Sequence, residues 1–343
     1  MKKVICVLTS IMMLLSLFAG CASSAPAGNS QAAAPATTEA AAATAPALDS
    51  KTVKVAIVQQ LDHSSLDEIR TAVKDKLTAL AGEQDITLEI SEYNGQNDAS
   101  TLNQIGADIV GDKVDLIIPI ATLAAQCMVT AADGTNTPIV YAAISDPVAA
   151  GLTDIPNVTG TSDALNTAYM LDMMLAVQPD VKTVGLLYSL SEVNSEAPIA
   201  EAKAYLDSKG IAYVEKTGNT TDEIVSAASS LVGRVDAVFT PTDNVVMAAE
   251  SAVAEILNGA GIPHYAGADS FVQAGAFATC GVNYTELGNK TAEMAMELLL
   301  GAPAPAFHVM EGGIITVNPA AAKAAGIDYS VFSDMAGTVI EVQ

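Results

Sequence analysis

The chain has 343 residues, with 15 Lys and Arg against 39 Asp and Glu, and a formal net charge of −24. Such a shortage of cations argues against binding to nucleic-acid phosphates. The length allows two domains with their own cores, whereas the lack of Trp and an aromatic content of 4% argue against a cage of many aromatic rings.

The N-terminal residues have the pattern of a bacterial export signal. Lys2 and Lys3 precede an apolar run at residues 4–18, which is too short to span a bilayer comfortably. The following Leu17-Phe18-Ala19-Gly20-Cys21 resembles the lipobox of bacterial lipoproteins, which implies cleavage before Cys21 and lipidation of its thiol. We therefore expect a lipoprotein signal peptide at residues 1–20, although a membrane anchor or an ordinary secretory signal are the alternatives. Residues 21–50, rich in Ala, Pro, Thr and Ser, are expected to be a disordered tether.

From residue 53 the sequence alternates between short apolar strands and amphipathic helices. Strands are predicted at residues 53–59, 86–90, 114–120, 138–144 and 157–161. The first intervening helix has a candidate capping box at Ser65 and Glu68, and another helix starts at Thr122. This order of strands and helices requires parallel strands with right-handed crossovers.

The alternation restarts after a helix at residues 164–177. Further strands are predicted at residues 181–189, 211–215, 235–239, 262–266 and 314–317, with helices between and after them. We predict an α/β fold of two Rossmann-like lobes with parallel sheets joined by a hinge. Lobe 1 would comprise residues 51–163 and roughly 285–312, and lobe 2 residues 164–284 and roughly 313–343. Cys127 and Cys280 lie in apolar runs, which favours two buried free thiols over a disulfide.

Polar residues follow the strands of both lobes. In open parallel sheets ligands bind outside the carboxyl ends of the strands, so we expect these residues to face one cleft. The candidates from lobe 1 are Gln59, Leu61, Ala121, Thr122, Gln126, Ser145 and Asp146, and those from lobe 2 are Ser189, Glu192, Asn194, Thr242, Asp243, Asn244 and Asp269. They offer hydroxyls, amides and carboxylates but no Lys or Arg.

This chemistry suggests what the ligand carries. Buried carboxylates without a cation are costly, so the ligand is expected to bring the positive charge to Asp243, Asp146 or Glu192. Helix starts predicted at Thr122, Ser145 and Asp243 would offer backbone N–H groups to a carboxylate. The set therefore predicts a zwitterionic ligand.

Simpler explanations exist for single residues. Asp243 is a good helix cap, and Asp146 before Pro147 is common in turns. His63 with Asp62 could reach the cleft, but the interpretation as a surface loop pair is favoured. No nucleophile elbow, phosphate-binding loop or zinc-protease motif occurs. We therefore expect neither an enzyme nor a metal or cofactor site.

Six segments together resemble the substrate-binding lipoproteins of ABC transporters of the tryptophan/tyrosine type, which have the type I periplasmic-binding-protein fold. They are Q-Q-L-D-H-S-S-L-D (59–67), A-T-L-A-A-Q (121–126), A-I-S-D-P-V-A-A-G-L (143–152), L-Y-S-L-S-E-V-N-S (187–195), T-P-T-D-N (240–244) and G-V-N-Y-T-E-L-G (281–288).

The resemblance implies a hinged binder that closes on a small solute, with aromatic amino acids as the expected class, and that docks on a membrane permease. We expect a monomer held at the extracytoplasmic face of the cell membrane by its lipid alone. The alternatives are a lipoprotein that senses its ligand and signals to a membrane partner, or a binder of a nucleoside or sugar. An extracellular hydrolase would need a nucleophile–base pair, which the sequence does not show.

Overall fold

The computed structural model describes residues 52–342. The predicted signal peptide at residues 1–20, the lipidation site Cys21 and the tether at residues 21–50 lie outside these residues. The strands are β1 (Thr52–Gln59), β2 (Thr87–Asn94), β3 (Leu116–Ile120), β4 (Ile139–Tyr141), β5 (Val158–Ser162), β6 (Thr183–Tyr188), β7 (Ala212–Thr217), β8 (Ala237–Thr240), β9 (His264–Ala266), β10 (Ala278–Gly281), β11 (His308–Val309), β12 (Ile314–Val317) and β13 (Thr338–Glu341). The helices are α1 (Ser64–Glu83), α2 (Ala99–Gly111), α3 (Thr122–Ala131), α4 (Thr167–Val177), α5 (Val193–Lys209), α6 (Thr221–Ser229), α7 (Asn244–Gly259), α8 (Asp269–Gln273), α9 (Tyr284–Leu299), α10 (Pro319–Ala325) and α11 (Phe332–Met335).

The strands form two sheets. The first sheet has the order β11-β5-β4-β3-β1-β2 and is parallel throughout. The second has the order β13-β12-β10-β9-β8-β6-β7 and is parallel except where β12 runs antiparallel to β10. Every predicted strand is present, and the predicted α/β fold with mostly parallel sheets is confirmed. Within the described residues the chain passes between the sheets after β5, after β10 and after β11.

Close packing of α9 against α1 places the start of α9 beside the first sheet. A Cβ atom added at Gly288 of α9 would lie 2.7 Å from the Cβ atom of Ala72 in α1. Only glycine permits this approach of the two helices. Ile69 and Leu287 are fully buried in the same core. The packing brings Tyr284, the first residue of α9, to the cleft.

Two predicted helix starts are wrong. Helix α1 begins at Ser64 with His63 as its N-cap, and no side chain caps it. Instead of forming a capping box, the Ser65 hydroxyl donates a hydrogen bond of 2.6 Å to Ser270 of α8. Ser145 starts no helix, because the Asp146 carboxylate accepts from the next two backbone N–H groups of Val148 and Ala149 and so closes a turn.

Several short elements were not predicted from the sequence, namely β10, β11, β13, α8 and α11. These segments have two to five residues, too few for periodicity to identify them. Both Cys127 and Cys280 are buried and unpaired, as predicted. Among the described residues, no helix combines the length and apolar character needed to cross a membrane.

Candidate ligand-binding site

A cavity of about 30 Å³ lies where loops from the two sheets meet. This volume is below the usual range for small-molecule sites, roughly 300–1,000 Å³, so a ligand the size of an amino acid fits only if the loops move apart. Ala121 follows β3 and Thr242 follows β8, so the cavity lies at the carboxyl ends of the strands. Its lining residues are His63, Ser65, Leu66, Ala121, Thr122, Ala143, Ser145, Asp163, Asn194, Thr242, Asp243, Asn244, Met247, Ala268, Ser270, Phe271 and Tyr284. None of these is Lys or Arg.

Half of the candidate residues line this cavity. They are Ala121, Thr122, Ser145, Asn194, Thr242, Asp243 and Asn244. The candidates that lie outside the lining are Gln59, Leu61, Gln126, Asp146, Ser189, Glu192 and Asp269.

The candidates outside the lining mostly hold the surrounding loops. The Gln59 amide donates to the carbonyl of Leu61, a core residue, at 2.7 Å, and the Gln126 amide donates to the Ala150 carbonyl. The Asp146 carboxylate closes its turn. Asp269 is the first residue of α8 and is half-buried.

Strained backbone marks two of the lining residues. Ala121 has φ 74° and ψ 164°, a region that glycine almost alone adopts, and Ala143 has φ 56°. Each such conformation costs about 1–3 kcal/mol and is common at binding sites. Ala121 precedes α3, whose first N–H groups have no acceptor within the helix. Leu123 N–H donates to the Gln60 side chain, and Thr122 lies at the cavity wall.

Asp163 is the final acceptor in a chain of hydrogen bonds that runs across the cleft from Thr242 through Ser145. Its carboxylate accepts from the Ser145 hydroxyl at 3.0 Å and from the Tyr284 hydroxyl at 3.1 Å. Because Ser145 donates to Asp163, the Thr242 hydroxyl must donate to Ser145, 2.9 Å away. Burial raises the pKa of Asp163, and its hydrogen bonds oppose that rise. No cation neutralises this carboxylate within the described residues.

The two candidate acids from the second-sheet loops already have protein partners. Asp243 caps α7 by accepting from Val246 N–H, and it accepts from Ser189 N–H and the Ser195 hydroxyl. Burial raises the pKa of Asp243, against these hydrogen bonds. The carboxylate of Asp243 therefore joins two segments of the second sheet, the one between β6 and α5 and the one between β8 and α7.

Glu192 forms a bridge behind the cavity. One carboxylate oxygen accepts from the Gln60 amide at 2.9 Å, and the other accepts from the Asn244 amide at 2.7 Å. Burial, and then the charge of Asp243, raise the pKa of Glu192 to about 7. The bridge joins a loop of the first sheet to two loops of the second.

Two buried polar atoms of the lining residues have no hydrogen-bond partner among the described residues. They are His63 Nδ1 and Asn194 Oδ1. The Asn194 amide nitrogen donates to the Thr242 carbonyl, so its oxygen remains as an acceptor. A buried acceptor without a partner costs about 1–3 kcal/mol, and a ligand that carries donors would remove that cost. The interpretation of His63 as a surface loop residue is wrong.

Four side-chain hydrogen bonds hold the loops of the two sheets together around the cavity. They pair Gln60 with Glu192, His63 with Asn244, Ser65 with Ser270, and Ser145 with Thr242. The arrangement is a closed cleft.

Sequence reasoning missed the apolar part of the lining and one acid. Leu66, Met247 and Phe271 have the spacing of core residues, so no signal separates them from the core. Asp163 lies two residues after a predicted strand and directly follows β5, and that position was the signal that could have identified it. Tyr284 reaches the cavity only because of the packing between α1 and α9.

Comparisons with known proteins agree with this geometry. The model of a family described as ABC transporter substrate binding protein matches residues 54–334. A tyrosine-binding protein of Clostridioides difficile is 36% identical over 259 residues, covering 74% of each chain.

Two solved structures are also similar. An ABC domain from Streptococcus pneumonia in complex with L-Trp is 32% identical, with a TM-score of 0.78 over 84% of this chain and 100% of that one. The ligand-free, open structure of a substrate-binding protein with adhesive properties from Clostridium difficile is 34% identical, with a TM-score of 0.63 over 85% of this chain and 100% of that one. At nearly equal identity, the chain is more similar to the ligand-bound structure, in keeping with its closed cleft.

Proposed function

Because the chain belongs to the ABC transporter substrate-binding protein family, we propose that it captures an amino acid with an aromatic side chain for an ABC importer. One observation carries the proposal. The Asp163 carboxylate, which has no cation beside it, and the start of α3 line the same cavity, and none of the lining residues is Lys or Arg. The relatives named for tyrosine and complexed with L-Trp support the same ligand class.

In this proposal the ammonium of the ligand binds Asp163. A carboxylate offers about four acceptor positions, and Ser145 and Tyr284 occupy two of them. Asn194 Oδ1 is a further acceptor in the lining. Asp243 and Glu192, two of the acids expected to take the ammonium, instead shape and close the cleft through their protein partners.

The ligand carboxylate would bind at the start of α3. Thr122 supplies a hydroxyl and an N–H group there, and the partial positive charge of the helix N-terminus favours an anion. Ala121, which has a positive φ, lines the cavity beside Thr122. The apolar side chains of Leu66, Met247 and Phe271 would contact the aromatic ring.

Binding and closure are coupled in this proposal. The ligand would bridge the loops of both sheets, and the four side-chain pairs across the cleft would then hold the closed form. The closed protein would dock on a membrane permease and release the ligand to it. No catalytic step is part of this function.

The experiment that tests this function combines two measurements. Mass spectrometry of small molecules that co-purify with the protein should identify an aromatic amino acid. Addition of L-tryptophan, L-tyrosine or L-phenylalanine at 100 times its Kd should stabilise the protein by about 3 kcal/mol, measured as a rise in Tm. A rise with sugars or nucleosides alone would contradict the proposal.

We also propose that the protein is extracytoplasmic and lipid-anchored through Cys21. Two acyl chains give stable anchoring without a transmembrane helix. Cells fed labelled fatty acid should incorporate label into the wild type but not into Cys21→Ser. Equal labelling of both proteins would refute lipidation at this residue.

A further inference from the structure

The amide of Asn244 determines which nitrogen of His63 carries the proton. The Asn244 amide nitrogen donates to Glu192 Oε2 at 2.7 Å, so the oxygen of the same amide faces His63. His63 Nε2 lies 3.0 Å from that oxygen and can only donate to it. In a neutral imidazole the other nitrogen is then an acceptor.

Several observations make the ring neutral. Burial lowers the pKa of His63, against the hydrogen bond to Asn244 and the charges of Asp67 and Asp62. His63 Nδ1 is buried in the cavity lining and has no partner among the described residues. The cleft therefore contains an acceptor atom with a lone pair and no donor.

His63 and the proposed ammonium site at Asp163 belong to different groups of hydrogen-bonded residues. Asp163 directly follows β5, where the chain leaves the first sheet, and Tyr284 is hydrogen-bonded to it. His63 belongs instead to the group formed by Asn244, Glu192 and Gln60. Asn244 starts α7, and Met247 of the proposed ring-binding surface lies one turn further along that helix.

We infer that His63 Nδ1 accepts a hydrogen bond from a donor on the side chain of the ligand, so that the site selects aromatic rings that carry an N–H or O–H group. This inference rests on the proposed function and specifies its ligand class. Tyrosine and tryptophan satisfy the acceptor, whereas phenylalanine leaves it unpaired. A site that binds a polar hydrogen rejects the analogue without it, because its buried acceptor then has no partner.

Two substitutions distinguish the acceptor role of His63 Nδ1 from the contribution of His63 Nε2 to closing the cleft. In His63→Gln the amide nitrogen takes the place of Nε2 and keeps the bond to Asn244, but the acceptor at the Nδ1 position is lost. In His63→Asn the amide oxygen takes the place of Nδ1, and the bond to Asn244 is lost. Ser64→Ala, a change at the exposed neighbour in α1, is the matched control.

The experiment is calorimetric titration of each protein with L-tyrosine, L-tryptophan and L-phenylalanine. The wild type and Ser64→Ala should bind tyrosine at least about tenfold more tightly than phenylalanine. His63→Gln should lose this preference, and its affinity for phenylalanine should equal or exceed that of the wild type because no buried acceptor is then left unpaired. His63→Asn should bind both amino acids more weakly and keep the preference.

Two results would overturn the inference while leaving the proposed function intact. The first is equal affinity of the wild type for tyrosine and phenylalanine, and the second is an unchanged preference in His63→Gln, whether or not both ligands bind more weakly. If the wild type bound none of the three amino acids, the proposed function itself would fail.

Discussion

Replacing Asp163 by Asn tests the proposed ammonium site, because it removes one charge and almost no volume. Asn can keep both existing contacts, since its amide can accept from one hydroxyl and donate to the oxygen of the other. Ser145 and Tyr284 therefore stay in place. What changes is the attraction between the side chain and a cation in the cavity.

The size of the effect follows from Coulomb's law. An ammonium about 3 Å from a carboxylate gains about 5 kcal/mol at an effective dielectric constant of about 20. The neutral amide retains about 1 kcal/mol of hydrogen bonding, and removing one member of a buried charge pair costs about 2–5 kcal/mol. The Kd for an aromatic amino acid should thus rise about 30-fold to a few thousandfold.

The same substitution should not weaken the free protein. Burial raises the pKa of Asp163, so the ionised carboxylate destabilises the fold at neutral pH. The free energy of unfolding of Asp163→Asn should therefore equal or exceed that of the wild type.

Calorimetric titration measures the Kd, and urea unfolding without ligand measures the stability. Asp180→Asn, which removes the same charge from an exposed loop, should change neither quantity. A Kd for Asp163→Asn within threefold of the wild type would refute the assignment of the ammonium to this residue.

The remaining predictions concern stability. Burial raises the pKa of Glu192 to about 7 in the folded protein. Its contribution to the free energy of unfolding is therefore greatest below the unfolded pKa of about 4.5, and up to about 3 kcal/mol is lost as the pH rises to 7. Thermal unfolding of Glu192→Gln at pH 5 and 8 should not show this loss. Gly160→Ala should destabilise by at least about 2 kcal/mol in urea unfolding, since its Cβ atom would lie 2.1 Å from the Tyr141 carbonyl oxygen. The control Gly82→Ala in α1, which meets nothing within 4 Å, should stabilise by about 0.5–1 kcal/mol; destabilisation by both would contradict the packing described. Ala121→Gly should raise the free energy of unfolding by about 1 kcal/mol because it relieves the positive φ, and a loss of stability would show that the residue is not strained.

The strand–loop–helix segments were predictable because their signals are local. At residues 235–244 an apolar run, a proline and a capping Asp predicted a strand followed by a helix, and the structure has β8 (Ala237–Thr240) and α7 with Asp243 as its N-cap. The same logic failed at Ser145, where an Asx turn satisfies the backbone N–H groups that a helix start would have exposed.

The chemistry of the cavity was less predictable because it depends on contacts between distant residues. The position of Asp243 after a strand and the lack of Lys or Arg among the candidates predicted a contact with the ligand, whereas in the structure Ser189, Ser195 and Val246 already donate to it. Asp163 was missed although it also follows a strand. The acceptor role of His63 depends on Asn244, 181 residues away in sequence, and no local pattern records that pairing.

The most direct test of the account is a crystal structure of the protein with L-tyrosine or L-tryptophan. We expect the ammonium nitrogen within about 3 Å of an Asp163 carboxylate oxygen and the ligand carboxylate at the first turn of α3. A ligand bound between the two sheets with no amine facing Asp163, or with its carboxylate away from Thr122, would contradict it.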